Sequence, residues 1–118
     1  PDLTGVTPAA VLLTRVISRP TPTRVTFDLG NKAVAADPLL AKRVHLLDFP
    51  EHTVVGHNEE HLIVETPHAD RYAVGDVVYA LPGHVCPTCA LHKDALVAEG
   101  GRVVGRWAIA ARDRALTV

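Results

Sequence analysis

The sequence predicts an all-β domain, a single barrel-like or sandwich fold of about eight short strands. Three observations carry this. No stretch keeps an apolar period of 3.6 residues over three helical turns, short runs of alternating or β-branched residues recur, and Pro, Gly, Asn and Asp separate them at near-regular spacing.

Residues 9–19 (AAVLLTRVISR) are apolar and β-branched and read as a buried strand between Pro8 and Pro20. Thr21-Pro22 makes a turn, and residues 23–29 (TRVTFDL) alternate as a half-buried strand should, so the two form an antiparallel pair. Gly30-Asn31 breaks that strand, and residues 32–36 are expected to form one helical turn before Asp37-Pro38. Residues 43–49 (RVHLLDF) read as a strand that carries the chain to Pro50. Residues 53–56 and 61–66 (HLIVET) read as two more strands around the polar link Asn58-Glu59-Glu60. Residues 67–72 read as a surface loop, Val74-Gly75-Asp76 as a turn, and residues 77–81 (VVYAL) as another strand. Residues 95–99 and 102–112 are expected to form a hairpin around Gly100-Gly101, a pair favoured in two-residue turns.

Composition narrows the function classes. A chain of 118 residues makes one domain that buries roughly 65% of its unfolded surface. Twelve basic and 13 acidic residues give a net charge of −1, so neither nucleic acid nor an anionic membrane finds an electrostatic footprint. Two cysteines three positions apart cannot staple such a chain and fit a reducing, cytoplasmic setting better than secretion. The start, Pro1-Asp2-Leu3-Thr4, lacks the basic and apolar regions of a signal peptide. The chain has no methionine, even at position 1, so it is expected to be trimmed or cut from a longer protein.

The densest chemistry lies at residues 81–92 (LPGHVCPTCALH). In an extended segment His84 and Cys86 would face one side, roughly 7 Å apart at the backbone. One Zn²⁺, with bonds of about 2.0 Å to nitrogen and 2.3 Å to sulfur, could draw both tips together. Pro82 and Pro87 bracket the pair and would stiffen an extended loop. Three other readings stand beside this one. Cys86-Pro87-Thr88-Cys89 has the form of a redox C-x-x-C, though no long helical pattern follows it. His84, Cys86, Cys89 and His92 could close a structural zinc site, although such sites usually draw on two loops. A buried cysteine beside a hydrogen-bonded histidine would need no metal at all.

Glu59-Glu60-His61 places three ionisable groups at the mouth of a strand. They read either as a solvated turn or as partners that orient a metal ligand or carry a proton. His45, His52, His57 and His68 fall in turns or on polar faces and read as exposed, and Asp28 reads as a turn or capping residue.

Taken in order, these segments resemble a known family. The series is Ser18-Arg19-Pro20, Thr21-Pro22-Thr23-Arg24, Asp28-Leu29-Gly30-Asn31-Lys32-Ala33, Glu59-Glu60-His61, Val74-Gly75-Asp76, Pro82-Gly83-His84-Val85-Cys86-Pro87-Thr88, Trp107 and Ala111-Arg112. It resembles the C-terminal β-domain of the D-threonine aldolase and D-serine dehydratase family, fold-type III pyridoxal-phosphate enzymes related in architecture to alanine racemase. The resemblance implies that residues 1–118 are the metal-site domain of a larger lyase acting on β-hydroxy-D-amino acids. It also implies an N-terminal (β/α)₈ barrel, absent from this chain, that binds pyridoxal phosphate through a lysine. Lys32, Lys42 and Lys93 match no cofactor-lysine motif. On the same resemblance the full-length protein is a homodimer, His84 and Cys86 are the metal ligands, and Glu59, Glu60 and His61 lie by the pocket as catalytic candidates. The metal is Zn²⁺ before Mn²⁺ or Mg²⁺, because a thiolate suits the softer ion. Leu62 stands where the family has a glycine. The reading from a different class is a stand-alone zinc-binding β-barrel module with a structural or sensing role.

Overall fold

Strands whose side chains alternate in character have one face to bury, and here six of them bury it against one another. The computed structural model describes residues 5–113 and 115–117, so the start of the chain used above to argue against a leader lies outside the described residues. Its strands are β1 (Leu12–Thr21), β2 (Arg24–Phe27), β3 (Val44–Leu46), β4 (Thr53–His57), β5 (Leu62–Glu65), β6 (Val77–Pro82), β7 (Asp94–Glu99) and β8 (Arg102–Ala108). The first six form one antiparallel sheet in the order β3-β6-β1-β2-β5-β4, curled into a half-barrel, and the last two form a separate ribbon. The expected all-β class is what the chain adopts.

The inner face carries Thr14 and Val16 of β1, Val25 and Phe27 of β2, Leu62 and Val64 of β5, and Val78 and Ala80 of β6. Each fully buried Val, Leu or Phe stabilises the fold by about 1.5–3 kcal/mol. Phe49 closes one end, edge-on to Phe27 at 5.5 Å and stacked on Tyr72 at 4.5 Å between centroids.

Three local expectations change. The first strand was read as buried, yet only one of its faces is: Leu13 and Ile17 point outward and are exposed, beside Val77 and Tyr79 of β6. Residues 67–72 are not merely a surface loop, because Ala69 of the 3₁₀ turn Ala69–Arg71 belongs to the core. The final strand ends at Ala108 and gives way to a 3₁₀ turn over Ala110–Arg112. The Gly100-Gly101 turn forms as expected: Glu99 pairs with Arg102 and both glycines have positive φ (54° and 76°), the mark of a type I′ hairpin.

Candidate metal-binding site

β6 delivers the chain to Gly83, where space decides the geometry. A Cβ there would stand 1.8 Å from the Lys42 carbonyl oxygen, and the Gly83 N–H donates to the Arg43 carbonyl at 2.7 Å. Only a residue without a side chain lets the end of β6 come so close to the 3₁₀ turn Leu40–Lys42. The next residue, His84, is extended (φ −135°, ψ 103°) and caps the helix α1 (Val85–Ala90).

This helix corrects the expected extended loop. Pro87 is its third residue, inside the first turn, where a backbone N–H has no helical acceptor and a proline is tolerated. The two prolines therefore do not brace an extended segment. His84 and Cys86 straddle a strand-to-helix corner, and the alternation that would have put them on one face does not operate there.

Six residues do not sustain a helix by propensity alone. α1 is held from outside, by side chains at helical spacing (84, 88 and 92) that meet the segment 33–37 in turn. The buried Thr88 hydroxyl accepts from the Ala35 N–H at 3.1 Å and donates to the His84 carbonyl at 2.7 Å. His92 Nε2 lies 2.8 Å from the Ala33 carbonyl oxygen, so that nitrogen donates. His84 Nδ1 lies 2.6 Å from Asp37 Oδ2, so in the neutral ring Nδ1 carries the proton and Nε2 keeps the lone pair.

Cys86 and Cys89 are exposed free thiols, which removes the reading of a buried structural cysteine. Among the described residues no three His, Cys, Asp or Glu side chains gather into a metal-holding group. The closed set of His84, Cys86, Cys89 and His92 is therefore not assembled, and His92 serves instead as a tether. The donor chemistry still fits a borderline-soft divalent ion at two points, through an accessible thiol and an imidazole whose one ring nitrogen is left for coordination.

Glu59, Glu60 and His61 sit in the exposed link between β4 and β5. Lys32 Nζ bridges the two carboxylates at 3.0 Å and 2.7 Å, and these contacts, Glu60 first, raise the lysine's pKa. The link docks on the turn after β2: Asn31 N–H donates to the Asn58 carbonyl at 2.8 Å and Lys32 N–H to the Glu59 carbonyl at 3.1 Å. A Cβ on Gly30 would come within 2.1 Å of the Glu59 carbonyl oxygen. Leu62 is fully buried in the core. The segment 30–37 thus holds the Glu59-Glu60 turn at its start and α1 at its end.

Asp28 is a strand tether, its Oδ1 accepting from the Thr14 hydroxyl and the Arg15 N–H, both at 2.7 Å. His57, expected to be exposed, is half-buried: Nε2 donates to the Leu29 carbonyl at 3.2 Å while Nδ1 faces the Arg43 guanidinium at 3.3 Å. Burial, and then the Arg43 charge, hold its pKa below the ordinary 6.5. Asp37 and Thr88 are the residues that spacing could not single out, since their partners lie 47 and 53 positions away.

A half-barrel in which the inner strand β6 runs through a glycine into a short helix with a histidine at its N-cap position defines a class, and comparison with known proteins names it. The family described as "Putative serine dehydratase domain" matches residues 9–98, and the chain belongs to that family. It is 34% identical over 102 residues to a D-threonine aldolase of an Arthrobacter species, covering 86% of this chain and 26% of that protein. It is 30% identical over 113 residues to an uncharacterized protein of Mycobacterium tuberculosis, covering 93% of this chain and 85% of that one. Among solved structures the fold resembles D-threonine aldolase from Filomicrobium marinum (TM-score 0.76, 23% identity, 86% of this chain and 28% of that one). It also resembles D-threo-3-hydroxyaspartate dehydratase from a Delftia species (TM-score 0.66, 24% identity, 83% of this chain and 31% of that one). The chain thus spans between a quarter and a third of these enzymes and most of the mycobacterial protein.

Proposed function

We propose that this chain is the metal-bearing β-domain of a pyridoxal-phosphate-dependent lyase acting on β-hydroxy-D-amino acids, of the D-threonine aldolase or D-serine dehydratase type. The observation that carries the reading is His84 at the corner between β6 and α1, its Nδ1 engaged by Asp37 and Cys86 exposed two residues on, in a chain of this family. His84 through Nε2 and Cys86 through its sulfur hold the ion, and Cys86 gives up its proton on binding. Two protein ligands leave coordination positions open, as a catalytic site requires. Bound there, a divalent ion supplies Lewis acidity toward a substrate hydroxyl, and pyridoxal phosphate on a lysine of the N-terminal barrel supplies the electron sink.

His84 is half-exposed and the clefts beside Arg19–Pro22 and beside His45 and His52 include neither His84 nor Cys86. A wall that excludes water must come from elsewhere, and the barrel domain, in a homodimeric full-length protein, is the surface we assign to it. Lys32 engages both Glu59 and Glu60 in ion pairs, and exposed His61 is the residue we assign as proton carrier among the three. The test is turnover of D-threonine and D-serine by a polypeptide that joins this domain to its barrel. His84→Ala and Cys86→Ala should each abolish it, and Cys89→Ala should leave it nearly intact. Undiminished turnover in His84→Ala refutes the assignment.

One observation favours a second reading. The mycobacterial relative is close to this chain in size, so a member of the family of about this length has no room for a barrel. A stand-alone zinc-holding module, structural or sensing, fits that fact. The tethering of His92 to the Ala33 carbonyl instead supports an open site, as a lyase needs.

A further inference from the structure

We infer that Asp37 is the positioning residue of the metal site: it fixes the tautomer and the direction of the His84 ring without touching the ion. The inference rests on the proposed function only in taking His84 as a ligand. A free imidazole exchanges its proton between its two nitrogens and turns about its side-chain bonds. Either freedom takes the coordinating lone pair away from the ion, and a ligand histidine is generally fixed by a hydrogen bond from its other nitrogen.

Asp37 supplies that bond, its Oδ2 lying 2.6 Å from Nδ1. A carboxylate has no proton to offer, so it accepts from Nδ1, and in the neutral ring Nε2 is left unprotonated. The alternative is a surface ion pair with no orienting role. Against it stands the way the carboxylate itself is placed. Asp37 belongs to the segment whose Ala35 N–H and Ala33 carbonyl grip Thr88 and His92, so carboxylate and imidazole are mounted on two pieces already bound together. The Thr88 hydroxyl in addition donates to the carbonyl of His84 itself, which fixes the backbone from which the ring projects. Pro38, directly after Asp37, limits that residue's backbone further. Ring, carboxylate and backbone are thus constrained together.

The test uses the 118-residue chain, two readouts and the Zn²⁺ ion as probe. Nitrogen-15 NMR of the metal-free chain at neutral pH should show His84 protonated at Nδ1. In Asp37→Asn the amide can offer its own N–H to Nδ1 and drive the proton to Nε2, a tautomer exchange that a merely structural contact would not produce. Zinc affinity, measured by competition with a chromophoric chelator, should fall about 10–100-fold in Asp37→Ala and Asp37→Asn. Asp37→Glu, which restores a carboxylate, should recover part of the loss. Both readouts unchanged in Asp37→Asn, while His84→Ala abolishes zinc uptake, overturn the role of Asp37 and leave the metal reading standing. Zinc affinity unchanged in His84→Ala overturns the metal reading itself, and with it this inference. A loss of affinity in Asp37→Ala accompanied by a lower melting temperature, with Asp37→Asn indistinguishable from the parent in both readouts, overturns it as well.

Discussion

The α1 corner and the β7–β8 ribbon follow each other in the chain and are stabilised by opposite means. α1 has six residues and too few internal bonds to stand, yet Thr88, His92 and His84 tie it to Ala35, Ala33 and Asp37. The ribbon pairs along its length from Asp94↔Ala108 to Glu99↔Arg102, with one register shift at Val97–Ala98 that leaves Val104 unpaired, yet every residue of β8 is exposed and Trp107 is 68% accessible. One element borrows its order from the core through polar tethers, and the other satisfies its backbone but leaves its side chains uncovered. The difference concerns where side chains are held. The candidate ligands His84 and Cys86 lie at the tied element, whereas the loose one leaves Leu96, Val103, Val104 and Trp107 exposed.

The comparison is most easily broken at the corner's pivot. Gly83→Ala puts a methyl group into the Lys42 carbonyl. It should cost roughly 1–3 kcal/mol of stability in urea unfolding, as overpacking does, and it should displace α1. A variant as stable as the parent would mean that the close approach does not set the corner.

Thr88→Val keeps the shape and removes both hydrogen bonds, leaving the buried Ala35 N–H unpaired. A loss of about 1–3 kcal/mol is expected, with faster amide exchange along α1. The matched change on the ribbon, Trp107→Ser, should alter stability by no more than about 0.5 kcal/mol. Equal effects from the two would erase the contrast between tied and loose elements.

A smaller effect should follow pH. His57 has a folded pKa below its unfolded one, so below about pH 6.5 the unfolded chain binds more protons than the folded one. Its contribution is complete above that pH, declines as pH falls through the window, and levels off below the folded pKa. Urea unfolding at pH 7.5 and 5.5 should show a decline that His57→Gln reduces. An undiminished slope in that variant would place the titrating group elsewhere.

How much of this was legible in the sequence follows the range of the interactions involved. Alternation and turn residues are local, and they located eight strands and the Gly100-Gly101 hairpin with small errors at the ends. The first strand misled because its apolar residues lie on both faces, and Leu13 and Ile17 look no different in sequence from Val16. α1 was missed because Pro87 suggests extended chain unless the residue is known to lie in a first turn, and because the bonds that hold the helix come from residues 33–37. His84 and Cys86 stood out by residue type, whereas Asp37 did not, since its only local mark is a turn-like Asp-Pro.

The central claim is that His84 and Cys86 form an open, two-ligand metal seat in which Cys89 has no part. Zinc content after dialysis against excess Zn²⁺, determined for Cys86→Ala and Cys89→Ala beside the parent chain, tests it most directly. The account predicts that Cys86→Ala retains no zinc, that Cys89→Ala retains as much as the parent, and that the parent's retention weakens as pH falls because the thiol must lose its proton. If Cys89→Ala loses zinc as completely as Cys86→Ala, the site is a closed structural one and the lyase assignment loses its main support.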